Sequence, residues 1–461
     1  MKRFISILLA LIMCLTACAS LSACGDADDV TTTAKQEKSS LGLEFTLNSD
    51  GKSYAVSGIG ECKDTKIIIP STYNSLPVMS IEEEAFLNCA SIESVKIPDS
   101  ITDIGYGAFK GTSAVEKAEN VYYVDNWAVD CEDSAESVTI REGTVGIARS
   151  ISANCEALKT VTIADSVKYI CEASFGFRDT LRTVNLPKNL VSIGDSAFMQ
   201  CRNLYIDLVI PEGTQYIGEA AFYSCIKLKS ITIPKSVSYV GQVAFYNTGC
   251  EEELDGVYYV DTWVVRTDRI STATIREGTY GIAEKGFNAY TDSLVSLAQL
   301  KKVVIPDSLI YISPDAFSKN GKITTFSVGN GNTAFKVVNG NLYSKDGSTL
   351  IKCATGKSNP VTVIEEGTVT VNDFAFFHLG TSTVSEITIP ESVRSIGYNA
   401  FVEWQALSSV TFESTEGWVI RNTETGEITP FIVTDPSQNA ETLKSGYYSN
   451  DYSDIYVIEK R

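Results

Sequence analysis

Apolar and polar residues alternate in short bursts along this chain, and each burst stops at the same punctuation. In "LKSITIP", residues 228–234, Leu228, Ile231 and Ile233 are apolar with polar residues between them. Ile231-Thr232-Ile233 has period two, is rich in β-branched residues and is closed by Pro234, which predicts a short strand. "SVSYVG" at 236–241 predicts a second strand ended by Gly241, and "QVAFYN" at 242–247 about one helical turn with Phe245 pointing inward. The same unit opens at "IPDSITDIGYGAF" (97–109), "LPKNLVSIGDSAFMQC" (186–201), "IPDSLIYISPDAF" (305–317) and "IPESVRSIGYNAF" (389–401). Residues 164, 187, 211 and 234, in the Pro slot, are 23, 24 and 23 apart, and Phe175, Phe198, Phe222 and Phe245 keep that rhythm. Degenerate copies put Ala164, Arg141, Arg276 or Glu365 in the Pro slot.

A coil of this size cannot bury its own Leu, Ile and Phe side chains. Stacked copies can, because each supplies the wall its neighbour needs. A longer duplication lies over the short period. Ile81, Phe86, Cys89 and Pro98 return 136 residues later as Ile217, Phe222, Cys225 and Pro234, and "VYYVDNWAV" (121–129) returns as "VYYVDTWVV" (257–265). Segments near 112–135, 248–270 and 321–360 depart from the unit and read as coils carrying an extra hairpin. The ends of such an array lack a neighbour. Residues 41–64 alternate around Asp50-Gly51, which predicts a hairpin cap. Residues 416–461, where the repeat has faded, predict a C-terminal cap on a solenoid spanning 65–415.

These motifs together (Ile-Pro, Ile-Gly-x-x-Ala-Phe and Cys-x-x-Leu in units of 23 or 24) resemble the BspA-type leucine-rich repeats of bacterial surface proteins. The resemblance implies a mainly β protein with short helical turns, a leucine-rich-repeat solenoid of roughly 23-residue coils with a parallel sheet on one face. It also implies a surface-exposed binding module, adhesive in some cases, with no catalytic residues to carry over.

The start of the chain changes the picture of where it works. Met1-Lys2-Arg3 is basic, Phe4 to Leu15 is apolar, and small residues follow to Cys24, which reads as a secretory signal peptide over 1–23. Leu21-Ser22-Ala23-Cys24 resembles a bacterial lipobox, making Cys24 the lipid-bearing residue. Cys18 follows the same short pattern, but cutting there would truncate the small-residue region; ordinary cleavage without a lipid is the other alternative. Two acyl chains on Cys24 would anchor the protein stably at the cell surface. Residues 24–40 are polar and acidic and read as a flexible tether. Removing 1–23 leaves 36 of the 38 basic residues against 57 acidic ones, a net charge of −21. That excess disfavours nucleic acid and anionic membrane as partners.

Twelve Cys are many for an exported chain, but no CxxC or Cys/His zinc spacing occurs, and no metal or cofactor is implied. Cys89, Cys155, Cys201 and Cys225 fill one repeated slot, as small buried residues do. The reading is free thiols, with Cys201 and Cys225 in adjacent coils the one pair to watch for oxidation. Catalytic signatures are thin. His378 is the single His, no GxSxG or HExxH occurs, and "TGKS" at 355–358 has Ile351 where a phosphate loop needs Gly. Carboxylate pairs fall at solvent-facing slots with none singled out at acid/base spacing.

The strand face is the natural docking surface of a solenoid. Its outward slots hold Thr139, Thr162, Asn185, Val209, Thr232, Thr274, Val304, Thr388 and Thr411 in one column, and Lys159, Arg182, Tyr205, Lys229 and Lys301 in another. A hydroxyl-rich face with a basic stripe on an acidic protein fits an anionic or hydroxyl-bearing partner; exposed Thr and Lys are also ordinary sheet residues that resist aggregation. The twin segments offer Tyr122, Tyr123, Trp127, Tyr258, Tyr259 and Trp263 as aromatic contacts for a protein or glycan, or as packing of a hairpin on the core. The expected function is therefore protein binding at the surface of a host or neighbouring cell. Glycan capture and a structural spacer of the envelope are the alternatives.

Overall fold

Three ladders of backbone hydrogen bonds join neighbouring coils. The first links the alternating strands: Ser137–Ile140, Thr160–Ile163 and Thr183–Val184 run parallel, with Thr139 opposite Thr162 and Ile140 opposite Ile163. The second links two-residue strands followed by Ala, Cys or Gly, Gly146–Ile147, Tyr169–Ile170, Ser192–Ile193 and Tyr216–Ile217. The third runs through the Ala-Phe segments. Ala173, Phe175 and Phe177 donate their N–H groups to Asp195, Ala197 and Met199, and Ser196, Phe198 and Gln200 donate theirs to Glu219, Ala221 and Tyr223, at 2.6–2.9 Å. The N–H groups in between turn back on their own coil, as Ala197 does to Gly194 and Met199 to Ser196. Each Ala-Phe segment is thus a run of tight turns and not a regular helix, which would keep its N–H groups within the segment. The alternation requires left-handed residues, among them Ser196 (φ 54°) and Gln200 (φ 57°).

The computed structural model describes residues 38–48, 51–287, 299–318, 320–356, 361–376, 385–402, 404–422, 427–445 and 456–460. The leader, Cys24, most of the 24–40 segment and His378 lie outside them. The chain forms two compact units, Met1–Lys229 and Ser230–Arg461. Both are β-solenoids of stacked coils of about 23 residues. In the second, Thr272–Thr274, Lys302–Ile305 and Thr325–Val328 form one parallel ladder, and Val361–Val363, Glu386–Ile389 and Ser409–Phe412 another.

Inside the coils the Phe rings stack like coins. Phe198 lies 5.7 Å from Phe175 and 5.3 Å from Phe222, and in the second unit Phe287–Phe317 and Phe376–Phe401 are 4.8 and 4.9 Å apart. These rings are buried. At the N-terminal end, Glu44–Leu47 pairs antiparallel with Tyr54–Gly58, which adds in parallel to Leu76–Ile81. At the other end, Tyr456–Lys460 runs antiparallel to both Ser395–Ile396 and Trp418–Asn422, and the helix Pro436–Ser445 is tied to Ser409–Phe412 by Asn439, whose amide donates to the Val410 carbonyl at 3.0 Å. A reversed strand and a helix both deny the last coil's edge to another coil.

The cysteine expectation is corrected. Cys131 and Cys155, 24 residues apart, are joined in a disulfide. Cys201 and Cys225 are not disulfide-bonded, and their thiols donate to the Phe175 and Phe198 carbonyls, both at 3.1 Å. Each thiol is aimed at a neighbouring coil's carbonyl and not at the other sulfur. Burial pushes the Cys201 thiol up to about 12. Among the described residues no helix is long and apolar enough to cross a membrane.

Candidate functional site

On the alternating strands of the first unit, every second side chain points out because the pleat has period two. Thr139, Thr162, Asn185 and Val209 are exposed there, between buried Val138, Ile140, Val161, Ile163, Val184 and Leu208. Thr232, Thr274 and Thr411 are exposed on the second unit, and Val304 and Thr388 are half-buried. The residues just before these strands form their own ladder. Lys159 donates its N–H to Glu136, Arg182 to Lys159 and Tyr205 to Arg182, at 2.8–3.1 Å.

The charges on that ladder are not equivalent. Lys159 Nζ lies 2.8 Å from Glu136 Oε1, and this partner holds the Glu136 carboxyl below its ordinary value. Lys229 stands 4.6 Å over the Tyr205 ring and donates to its hydroxyl at 2.6 Å, a contact that raises its own pKa. Arg182, between them in the ladder, is exposed and its guanidinium has no side-chain partner among the described residues. The stripe is therefore an ion pair, a free guanidinium and an ammonium resting on an aromatic ring. Tyr205 is 56% exposed and Val209 63%, so apolar surface flanks the charges. Lys301 is exposed on the second unit.

The twin hairpins are built differently. Val121–Val124 pairs with Trp127–Cys131, which pairs in parallel with Gly146–Ile147; Val257–Val260, Trp263–Thr267 and Gly281–Ile282 repeat this. Trp127, Tyr123, Trp263 and Tyr259 are at most 1% exposed. They are core residues and cannot meet a partner, so their reading as surface contacts is corrected. The cause is the hairpin's inward face. A Cβ on Gly146 would sit 2.3 Å from the Trp127 ring, and one on Gly281 2.6 Å from Trp263, so each indole occupies the space its Gly leaves. Tyr122 and Tyr258 are half-buried.

The Arg residues in the Pro slot clamp these hairpins. The Arg141 guanidinium lies 4.1 Å from the Tyr123 ring centroid and grips Glu116 with two bonds of 3.1 and 3.3 Å. Arg276 lies 4.2 Å from Tyr259 and 2.6 Å from Glu252. Their N–H groups donate to the two Tyr hydroxyls at 3.1 and 3.2 Å, which Pro could not do. The sequence signal was the paired replacement of Pro by Arg just beyond each "VYYVD" segment.

Coils of fixed length, parallel ladders and a stacked Phe core define a β-solenoid repeat protein. A sequence profile of the BspA type leucine rich repeat region, in six copies, matches residues 79–205, 205–255, 264–344 and 357–423. The chain belongs to that family, a repeat protein of the bacterial surface-protein type. Similar solved structures include a leucine rich cell surface protein from Faecalibacterium prausnitzii, 21% identical, with 85% of this chain and 96% of that one covered and a TM-score of 0.28. A leucine-rich repeat protein from Bacteroides ovatus is 18% identical over 80% and 92% of the two chains, with a TM-score of 0.27. The pneumococcal vaccine antigen PcpA is 18% identical over 64% and 69%, with a TM-score of 0.28. No functionally curated protein matches.

Proposed function

We propose that this protein is exported, anchored in the cell membrane by lipid on Cys24, and displayed on the cell surface as a non-catalytic module that binds another protein through its outer strand face. The observation that carries this reading is Arg182. It stands exposed and unpaired between Lys159 and Lys229, beside the Thr139, Thr162 and Asn185 column and next to exposed Tyr205 and Val209. Arg and Tyr are the residue types that most often dominate protein interfaces, and a cationic patch on an acidic protein selects an acidic partner surface. Glycan capture would draw on exposed indoles, and Trp127 and Trp263 are buried.

The test is capture of surface and secreted proteins of neighbouring cells by residues 41–461, beside the variant carrying Lys159→Ser, Arg182→Ser and Lys229→Ser. The expected result is a partner retained by the parent and lost, by tenfold or more in affinity, from the triple variant. Equal capture by both would remove the strand face as the site. Loss of membrane association on Cys24→Ser checks the anchor.

A further inference from the structure

The two hairpin blocks are alike in outline and differ in the space between the hairpin and the turn before it. At an offset of 136, strands Glu116–Ala118, Val121–Val124 and Trp127–Cys131 correspond to Glu252–Leu254, Val257–Val260 and Trp263–Thr267. The turns before them match too, since Thr112 and Thr248 donate their hydroxyls to the Phe109 and Phe245 carbonyls at 2.9 and 2.8 Å. In the second block, Arg266 fills the space between hairpin and turn. Its guanidinium lies 3.2 Å from the Tyr258 ring centroid and 5.3 Å from that of Tyr246, and its Nε donates to Glu251 at 2.8 Å.

The first block keeps the aromatic wall and loses the plug. Tyr122 corresponds to Tyr258, but Asp130 stands where the second block has Arg266, Val115 where it has Glu251, and Lys110 where it has Tyr246. Gly107 and Gly111 replace Val243 and Asn247. What is left is an open cavity of about 150 Å³ whose walls include Gly107, Lys110, Gly111, Val115, Tyr122 and Asp130.

We propose that this cavity is a binding site for a guanidinium group, such as an arginine side chain presented by a partner. The chain supplies the template, because its own second copy seats a guanidinium against the matching walls. The third hairpin agrees in kind. Lys352 lies across from Leu342 as Asp130 lies across from Tyr122 and Arg266 from Tyr258, so two of these three hairpins put a basic side chain in the slot where the first puts an acidic one. Asp130 Oδ1 accepts the Cys131 N–H at 2.8 Å, and no cation pairs with Asp130 among the described residues. Desolvation, with Asp133 and Glu132 nearby, raises its pKa against the opposing pull of the Cys131 N–H and the Lys110 charge, and a cation arriving in contact relieves the remaining cost. Lys110 makes no ion pair among the described residues and is the site's internal competitor. Lys117, which is not part of the cavity wall, is paired with Glu132 and lies 5.3 Å from the Tyr122 ring centroid. A guanidinium can stack flat on Tyr122 while donating to Asp130, which an ammonium cannot do as well.

The experiment titrates the full chain with N-acetyl-arginine amide, using N-acetyl-citrulline amide as the neutral isostere, followed by calorimetry or ligand-observed NMR. The expected result is saturable arginine binding in the millimolar range, none for citrulline, and a loss of at least fivefold in Asp130→Asn. Lys110→Ser should tighten binding; weakening would mean the cavity takes an anion and would overturn the proposal. The combination Lys110→Tyr, Val115→Glu and Asp130→Arg rebuilds the second block's plug, and should abolish binding with an unchanged melting curve. Equal binding of citrulline, no saturation, or undiminished binding in the refilled variant each sinks it. The triple Ser variant of the strand face should bind the probe normally, which keeps this site separate from that one.

Discussion

From Ile163 to Leu228 each coil closes its core in the same way, whereas from Thr112 to Cys131 the chain solves the problem with a hairpin. The regular coils continue a stack. Phe198 has a ring on each side, Phe175 and Phe222. Phe109, the last ring before the hairpin, stacks on Phe86 alone among the described residues, at 5.4 Å. The difference teaches that the repeat supplies stability by neighbours, and that the hairpin brings a large core residue of its own, Trp127, which stacks 6.3 Å from Tyr169 and not on Phe109. Removing a ring measures this. Phe198→Ala is expected to cost about 3–5 kcal/mol. Phe109→Ala should cost less by about 1 kcal/mol, the worth of one ring–ring contact. Equilibrium urea unfolding of the full chain gives both values, and a larger loss at Phe109 would contradict a neighbour-by-neighbour core.

The two kinds of coil also differ in the polar groups they bury. Regular coils bury hydroxyls such as Ser174, Ser192 and Thr214, while the hairpin Asn341–Ser344 and Thr349–Lys352 buries an ionisable amine. Lys352 is 2% exposed, its Nζ donates to the Phe374 carbonyl at 2.9 Å, and desolvation pushes its pKa down to about 7. A Lys depressed in the fold binds its proton more tightly when unfolded. The contribution of Lys352 to stability should therefore rise as pH climbs from about 7 towards 10, by on the order of 3 kcal/mol. From about pH 9 this gain is opposed, because burial pushes Cys201, Tyr311 and Tyr343 up to about 12 and the unfolded chain then ionises first. Lys352→Met should flatten the rise between pH 7 and 10 and leave the opposing fall. An unchanged slope in unfolding experiments would show that Lys352 stays charged.

Much of this fold was legible because its rules are local. Pro, Gly, Ala-Phe and alternating Val/Ile/Thr recur at fixed spacing, and each slot means the same thing in every coil. What escaped was whatever depends on a residue outside the slot. Cys155 lies in the repeated slot, but its partner Cys131 is in a hairpin whose second copy has Thr267, so periodicity carried no hint of the bond. Arg141 reads as a worn Pro slot until Tyr123 and Glu116 are seen against it. Alternation in "VYYVDNWAV" announces two faces without saying which one is inward; four of its and its twin's rings proved to be core. On the strand face, pattern picked out the exposed cations, yet only side-chain geometry separates paired Lys159 from unpaired Arg182.

The smallest expected effect isolates the exchange between hairpin and coil at a single register position. Gly146, Tyr169, Ser192 and Tyr216 stand opposite one another in the second ladder. The regular coils tolerate a Tyr or a Ser there, and the hairpin coil has Gly because the Trp127 ring covers the site. Gly146→Ala should therefore cost about 1–3 kcal/mol through overpacking. In a Trp127→Ala background the same change has room, and the strand entropy gained by losing a Gly makes it neutral or favourable. The coupling between the two changes should thus be about as large as the single Gly146→Ala cost. Ser192→Ala is the control from a regular coil. Its hydroxyl is buried without a hydrogen-bond partner among the described residues, so its removal should leave stability unchanged or slightly improved. If Gly146→Ala were just as costly without the indole, the Gly would be serving the backbone and not the ring.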